Sequence, residues 1–432
     1  MFDGVLSLDV LSGPLPIVLY GLAAAVLVAL LIRRPTRGWL TRVVLALVGG
    51  LAVAVLLWLV CVRWLNLFGE SLGAGNYAWL AAASCGVALC VASISRRPRW
   101  RIVVALAGIP VLLVAATLGI NANYGLNRTV GGLLAITVPR PLKLTPPQAK
   151  PDSGYDVELW KHWKAPSDMP VHGEIGTARI PATASGFHAR EAGLYLPPAA
   201  RVAHPPALPL VVMMMGQPGN PDPEPIAQVL DRFAAAHHGL APIVVVADQL
   251  GSPTQDTLCR DTSRFGNAAT YITEDVPAWA EAHLNVTRDH RYWTAAGYSN
   301  GGLCALSFGL RHPDVFSNVL DISGEEFPGA EHPDATLRDE FGGDRAAYDR
   351  AKPFSWLRTF SHPESTMIFT ACADDPAYHH VALRGSELAH AAGVNTAFVD
   401  IPRGGHGIGA LTGGLEGGFT DLYPLLGLAP AG

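Results

Sequence analysis

The sequence predicts a C-terminal α/β domain, residues 169–432, carried behind an all-α unit of four membrane-length helices, residues 1–120. Three observations lead there. The apolar weight is concentrated in four long stretches before residue 120. Beyond Val171, short uniformly apolar runs alternate with segments of helical periodicity. At one junction between the two patterns stands a serine flanked by glycines, "AAGYSNGGLCAL".

Hydrophobic residues make up 50% of the chain and charged residues 16%, a balance too apolar for a water-soluble domain alone. The four stretches run from Leu15 to Ile32, Trp39 to Val62, Tyr77 to Ser95 and Ile102 to Ile120. A bilayer takes roughly 20 apolar residues per helix, so each is long enough to span. A cleaved signal peptide does not fit, because "MFDGVLSLDV" is acidic and further spans follow. The spans hold no Asp, Glu or Lys, which weighs against a transporter.

Arginines give the orientation. Arg33, Arg34, Arg37 and Arg42 cluster at the first connection, and Arg96, Arg97, Arg99 and Arg101 at the third. The second carries Arg63 against Glu70, and the N-terminus carries Asp3 and Asp9. The positive-inside bias puts connections one and three in the cytoplasm, and both the N-terminus and the α/β domain outside. Residues 1–120 hold nine Lys/Arg against three Asp/Glu, a net of +6; the whole chain carries −5, so the remainder carries −11. So acidic a domain, with no basic runs, excludes nucleic acid as a partner.

Cys61, Cys85 and Cys90 fall inside the spans and read as small hydrophobes. Cys259, Cys304 and Cys372 fall in the outer domain, where one disulfide is allowed and spacing does not choose the pair. No Cys or His spacing suits a metal.

A Pro-, Gly- and Asn-rich stretch, residues 121–168, reads as a juxtamembrane segment and linker. "HGEIGTARI" and "FHAREAGLYL" then read as an antiparallel pair. "LPLVVMMM" and "PIVVVAD" are buried strands around a helix from Pro225 to His237. "TYITEDVPAWAEAHL" is an amphipathic helix with Pro277 early or at a kink. "SNVLDIS", "TMIFTACA" and "NTAFVDI" complete the strands, with a helix from His379 to Ala392 before the last. Such apolar strands separated by helices make a mostly parallel sheet covered on both faces.

"GYSNG" fits the G-x-S-x-G elbow, in which glycines allow a turn tight enough to expose Ser299 above the sheet. A plain helix cap would explain the serine alone; its place between strand and helix favours a nucleophile. A serine needs a base. Of the downstream histidines, only His406 lies in a glycine-rich loop directly after the last strand. The acid belongs after "TMIFTACA", in "DDPAY": Asp375 is preferred and Asp374 is the alternative. Two N–H donors must receive the oxyanion. Asn300 follows the nucleophile, and Gln217 lies in "GQPGN" after the first apolar strand, with Gly219 as fallback because Pro218 has no N–H.

On "IPATASGFHAREAGLYLPP", "LPLVVMMMGQPG", "GYSNGGLCALSFGLRHPDVF", "FGGD", "TACADDP" and "GGHGIGAL", in that order, the outer domain resembles the esterase family that includes esterase D-type enzymes and the secreted mycolyltransferases of actinobacteria. The resemblance implies an α/β-hydrolase fold and serine ester chemistry without metal or organic cofactor. With the spans ahead of it, the chain is similar to membrane-anchored actinobacterial members, and these suggest Cys259–Cys304 as the disulfide pair. Two residues depart from the family: Met215 stands where its oxyanion loop opens with histidine, and Asn300 where mycolyltransferases carry methionine. The expected function is a membrane-anchored serine esterase acting on a lipid or envelope ester at the outer membrane face. Acyl transfer to a sugar hydroxyl is the near alternative, and an inactive membrane scaffold the alternative of another class.

Overall fold

A computed structural model describes residues 2–66, 72–94, 98–142, 144, 158–360, 362 and 364–430. Glu70, Arg96, Arg97, the side chain of Asp3 and residues 145–157 of the expected linker lie outside what is described. The chain divides into two compact units, Met1–Val138 and Pro139–Gly432.

The first unit is built on α1 (Pro14–Leu31), α2 (Arg37–Trp58, continued by a wider turn over Leu59–Trp64), α3 (Ala74–Ile94) and α4 (Arg99–Tyr124). All four are long and apolar enough to cross a membrane. Their outward side chains are themselves apolar: Ile17, Val44, Leu45, Val48 and Val103 are 57–70% exposed. Inside, small residues let the helices touch. A Cβ on Gly50 would lie 2.5 Å from the Cα of Cys85, and one on Gly108 2.5 Å from Val26.

α2 with its wider turn and α4 overrun their expected stretches at both ends, because polar ends continue a helix past its apolar window. Residues 121–138 are therefore not linker. α4 runs on to Tyr124 and stops at Gly125 in the left-handed region, φ 69°. Arg128 and Thr129 then pair with Asp9 and Val10, and Asn121 donates to the carbonyl of Asn127. Arg140 and Pro141 already belong to the second unit, where they lie along Thr177.

The second unit holds an eight-stranded sheet: β1 (Glu174–Ala178), β2 (Ala192–Leu196), β3 (Leu210–Met214), β4 (Ile243–Ala247), β5 (Trp293–Tyr298), β6 (Asn318–Ile322), β7 (Thr366–Cys372) and β8 (Asn395–Ile401). The order is β1-β2-β4-β3-β5-β6-β7-β8. β1 pairs antiparallel with β2, and β2 with β4; all other neighbours are parallel. β2 to β7 are buried throughout, as a sheet covered on both faces requires.

The covering helices include α5 (Glu224–Ala236), α6 (Val276–His283), α7 (Asn300–Arg311), α8 (Pro376–Ala391) and α9 (Ile408–Leu425). Pro277 stands inside a longer helical run, because Ala268–Thr270 and a wider turn over Tyr271–Asp275 lead straight into α6, and the wider turn falls where the proline removes a bond from the ladder. α7 and α9 lie on opposite faces: Gly302 of α7 approaches Asp321, while Gly414 of α9 approaches Ile322, its neighbour on β6. α9 lies close to the sheet because Gly414, Gly417 and Gly418 meet Ile322, Val399 and Leu320. β3 is followed in sequence by β4 on one side and by β5 on the other. The crevice at that switch point, above the carboxyl ends of β3 and β5, is where such sheets hold their sites.

Candidate active site

Ser299 directly follows β5 in a conformation that side chains rarely adopt, φ 57° and ψ −119°. Such strain costs on the order of 1–3 kcal/mol and persists only where the surroundings enforce it. Here Ser299 donates its N–H to Ile322 (2.9 Å), and its carbonyl accepts from Gly302 (2.9 Å) and Leu303 (3.1 Å). Both flanking glycines are required by space. A Cβ on Gly297 would sit 1.9 Å from the carbonyl oxygen of Gly301, and one on Gly301 2.1 Å from that of Met214. Ser299 occupies the cap position of α7, yet its hydroxyl makes no bond to the helix. Its Oγ lies 2.9 Å from Nε2 of His406.

His406 sits in the loop between β8 and α9, and its Nδ1 lies 3.1 Å from Oδ2 of Asp375. With a proton on Nδ1 directed at that carboxylate, Nε2 is left to accept the Ser299 hydroxyl proton. The neighbouring acid does something else. Asp374 accepts the N–H groups of Gly405 (2.9 Å) and Gly404 (3.0 Å), which hold its carboxyl below the usual range. One acid faces the imidazole; the other ties down the loop that carries it. Two tyrosine rings stack on that imidazole, Tyr378 at 3.8 Å and Tyr298 at 5.2 Å between centroids.

On the opposite side of Ser299 runs the loop after β3. A Cβ on Gly216 would lie 3.2 Å from that of Ser299, so this backbone passes beside the nucleophile position. Gly219 is corrected as a candidate donor, because its N–H is already given to the carbonyl of Pro253 (3.0 Å). Gln217 bonds through its side chain to Thr254 (2.8 Å), which fixes the residue while leaving its main-chain N–H. Asn300 opens α7, so its N–H has no acceptor within the helix.

Sequence reasoning missed the groups that hold this loop. Arg190 donates to the carbonyl of Gly219 and to Asn220 (2.9 Å each), and pairs with buried Asp248 (2.6 Å). Gln249, also buried, donates to the carbonyl of Met215 (2.6 Å). The available signal was "ADQL": polar residues ending an apolar strand at the carboxyl edge of the sheet. Cys259 and Cys304 are joined, with Cα atoms 4.9 Å apart. Beneath the elbow, Asp321 is fully buried, and burial pushes its carboxyl from 3.8 up to about 7. Among the described residues no group of three or more His, Cys, Asp or Glu could hold a metal.

Residues 188–363 match the model of a putative esterase family, a stretch that includes Ser299 and stops short of Asp375 and His406. An uncharacterized protein of Corynebacterium glutamicum is 35% identical over 232 residues, 51% of this chain and 54% of that one. The chain thus spans about half the length of the curated relative it matches. Among solved structures, an S-formylglutathione hydrolase from Agrobacterium tumefaciens is 19% identical with a TM-score of 0.49, covering 60% of this chain and 98% of that one. An enterobactin esterase from Shigella flexneri is 18% identical with a TM-score of 0.40, covering 62% of each. Its strand order and elbow serine give the second unit the architecture of an α/β-hydrolase fold, and residues 188–363 within it are similar to a putative esterase family.

Proposed function

We propose that this chain is a membrane-anchored serine esterase that hydrolyses a carboxylic ester of a lipid or cell-envelope component. The observation that carries the reading is the unbroken line of contacts from Asp375 through His406 to Ser299. His406 takes the hydroxyl proton on Nε2 as Oγ adds to the ester carbonyl. The N–H groups of Asn300 and Gln217 receive the oxygen as it becomes negative. Collapse of the adduct expels the alcohol, which leaves with the proton from His406, and the acyl group stays on Ser299. Water, deprotonated by the same imidazole, adds to that acyl carbonyl and releases the acid. Asp375 keeps the imidazole in one tautomer and stabilises its charged form.

Anchoring is supported by the four apolar helices and their apolar outward faces. Arg33, Arg34, Arg37, Arg99 and Arg101 flank the two connections assigned to the cytoplasm, which favours an extracytoplasmic N-terminus and hydrolase unit. The partners are then the bilayer itself and an ester held at its outer face. Asn300, in place of the mycolyltransferase methionine, favours water over a sugar hydroxyl as acceptor. An inactive scaffold would have no use for the aligned serine, histidine and aspartate.

The test is labelling of the detergent-purified chain by a fluorophosphonate probe. Wild type should label, while Ser299→Ala and His406→Ala should not. A folded wild type that does not label overturns the reading.

A further inference from the structure

The two oxyanion donors come from pieces of chain that are remote in sequence, Gln217 after β3 and Asn300 at the start of α7. Preorganised donors work only if both are fixed at the spacing the oxyanion demands. We propose that the side chains of Gln249, Asn300 and Asp256 form a buried strut that sets this spacing, with Gln249 and Asp256 as positioning residues. The inference rests on the serine esterase reading above.

One amide bridges the two pieces. Gln249 Nε2 donates to the carbonyl of Met215 (2.6 Å), two residues before Gln217, and to Oδ1 of Asn300 (3.3 Å). Asn300 in turn donates from Nδ2 to Oδ1 of Asp256 (3.2 Å), which also accepts the N–H of Leu258 (2.7 Å). The strut is braced at both ends. Thr257 donates its hydroxyl to the carbonyl of Gln249 (2.7 Å), and the Cys259–Cys304 bond ties the Asp256 loop to α7 one turn beyond Asn300.

Its placement argues against mere filling. Asn300 is 0% and Gln249 2% exposed. Burying amides costs free energy unless every polar atom finds a partner, so an apolar residue would fill the same space at less cost. The polar atoms here are spent on joining the two oxyanion segments behind the serine.

The experiment measures fluorophosphonate labelling of the full chain in detergent as a function of probe concentration. It separates the limiting labelling rate from the half-saturating concentration, with thermal unfolding followed alongside. The probe's phosphoryl oxygen enters the same hole as an ester oxyanion. Gln249→Met and Asn300→Leu should each lower the limiting rate by about tenfold or more, with half-saturation unchanged. The double variant should lose no more than the worse single one, because both cut the same strut. Where Gln249→Met fails to fold, Asn300→Ser breaks the link without adding bulk.

A limiting rate within twofold of wild type, a change confined to half-saturation, or fully additive losses would each overturn the strut. Ser299→Ala separates the two ideas. If it still labels, the esterase reading fails. If it is silent while the strut variants label normally, only the strut fails.

Discussion

Two short turns meet at the proposed nucleophile, and they are held by different forces. The elbow, Gly297 to Gly301, is held by exclusion: carbonyl oxygens stand where any Cβ would have to go. The histidine loop, Gly404 to His406, is held by attraction, its N–H groups bonded to the exposed carboxylate of Asp374. A turn fixed by packing fails all at once when crowded. A turn fixed by a charge weakens by degrees and with pH. The strained half of the site is thus also its most rigid half.

That contrast can be tested in steps of falling effect on activity. Gly301→Ala should abolish labelling together with folding, because the new methyl would lie 2.1 Å from the carbonyl oxygen of Met214. The cost should reach or exceed about 3 kcal/mol, read as loss of the cooperative thermal transition. A folded, active Gly301→Ala would end the exclusion argument.

Asp375→Asn should leave the fold and its melting temperature in place, and lower the limiting labelling rate by about 10⁴, the loss expected when the imidazole is held in the wrong tautomer. Asp374→Asn should cost only about tenfold, by loosening the loop rather than by disturbing the proton path. If the two losses come out reversed, the roles of these neighbours must be exchanged.

Asp374 also predicts a pH signature. Its carboxyl is held below the usual range, so the bonds it accepts contribute fully above the unfolded value and are lost as pH falls through the folded one. The added acid sensitivity of wild type, measured as melting temperature against pH, should be absent from Asp374→Asn.

The smallest effect on activity is expected at Asp321. Folded, it keeps its proton up to about pH 7, while the unfolded chain releases it near 3.8. Wild type therefore loses stability as pH rises between those values. Asp321→Asn should gain about 2–4 kcal/mol over wild type across the same window, with labelling unchanged. A flat difference between the two melting curves would refute the buried neutral acid.

The same contrast explains what could be read in advance. The elbow was legible because exclusion demands glycine itself, at Gly297 against Gly301 and at Gly301 against Met214, and so writes itself as G-x-S-x-G. The sheet was legible because strands buried on both faces must be apolar along their length, as "LPLVVMMM" and "PIVVVAD" are. The choice between Asp374 and Asp375 was open because both sit in one turn, and only the folded loop decides which carboxylate meets His406. Arg190 and Asp256 left no local trace, and Gln249 left only the polar end of an apolar strand in "ADQL". Their partners lie 58, 44 and 51 residues away in sequence, across loops whose polar residues look like ordinary surface. The helix ends of the first unit were misjudged for another reason, since hydropathy marks where a helix is apolar and not where its hydrogen bonds stop.

One further consequence follows from the glycines of α9. His406 stands two residues ahead of that helix, so its height above the sheet depends on how far down the helix can settle. At Gly414 a methyl would collide with Ile322 and Thr370 at 2.5 Å, leaving the helix to rise or the strands to bow. The gap between imidazole and serine is therefore gauged by the thickness of a seam on the face of the sheet away from α7. Heat that swells the seam would therefore carry the imidazole away from the serine.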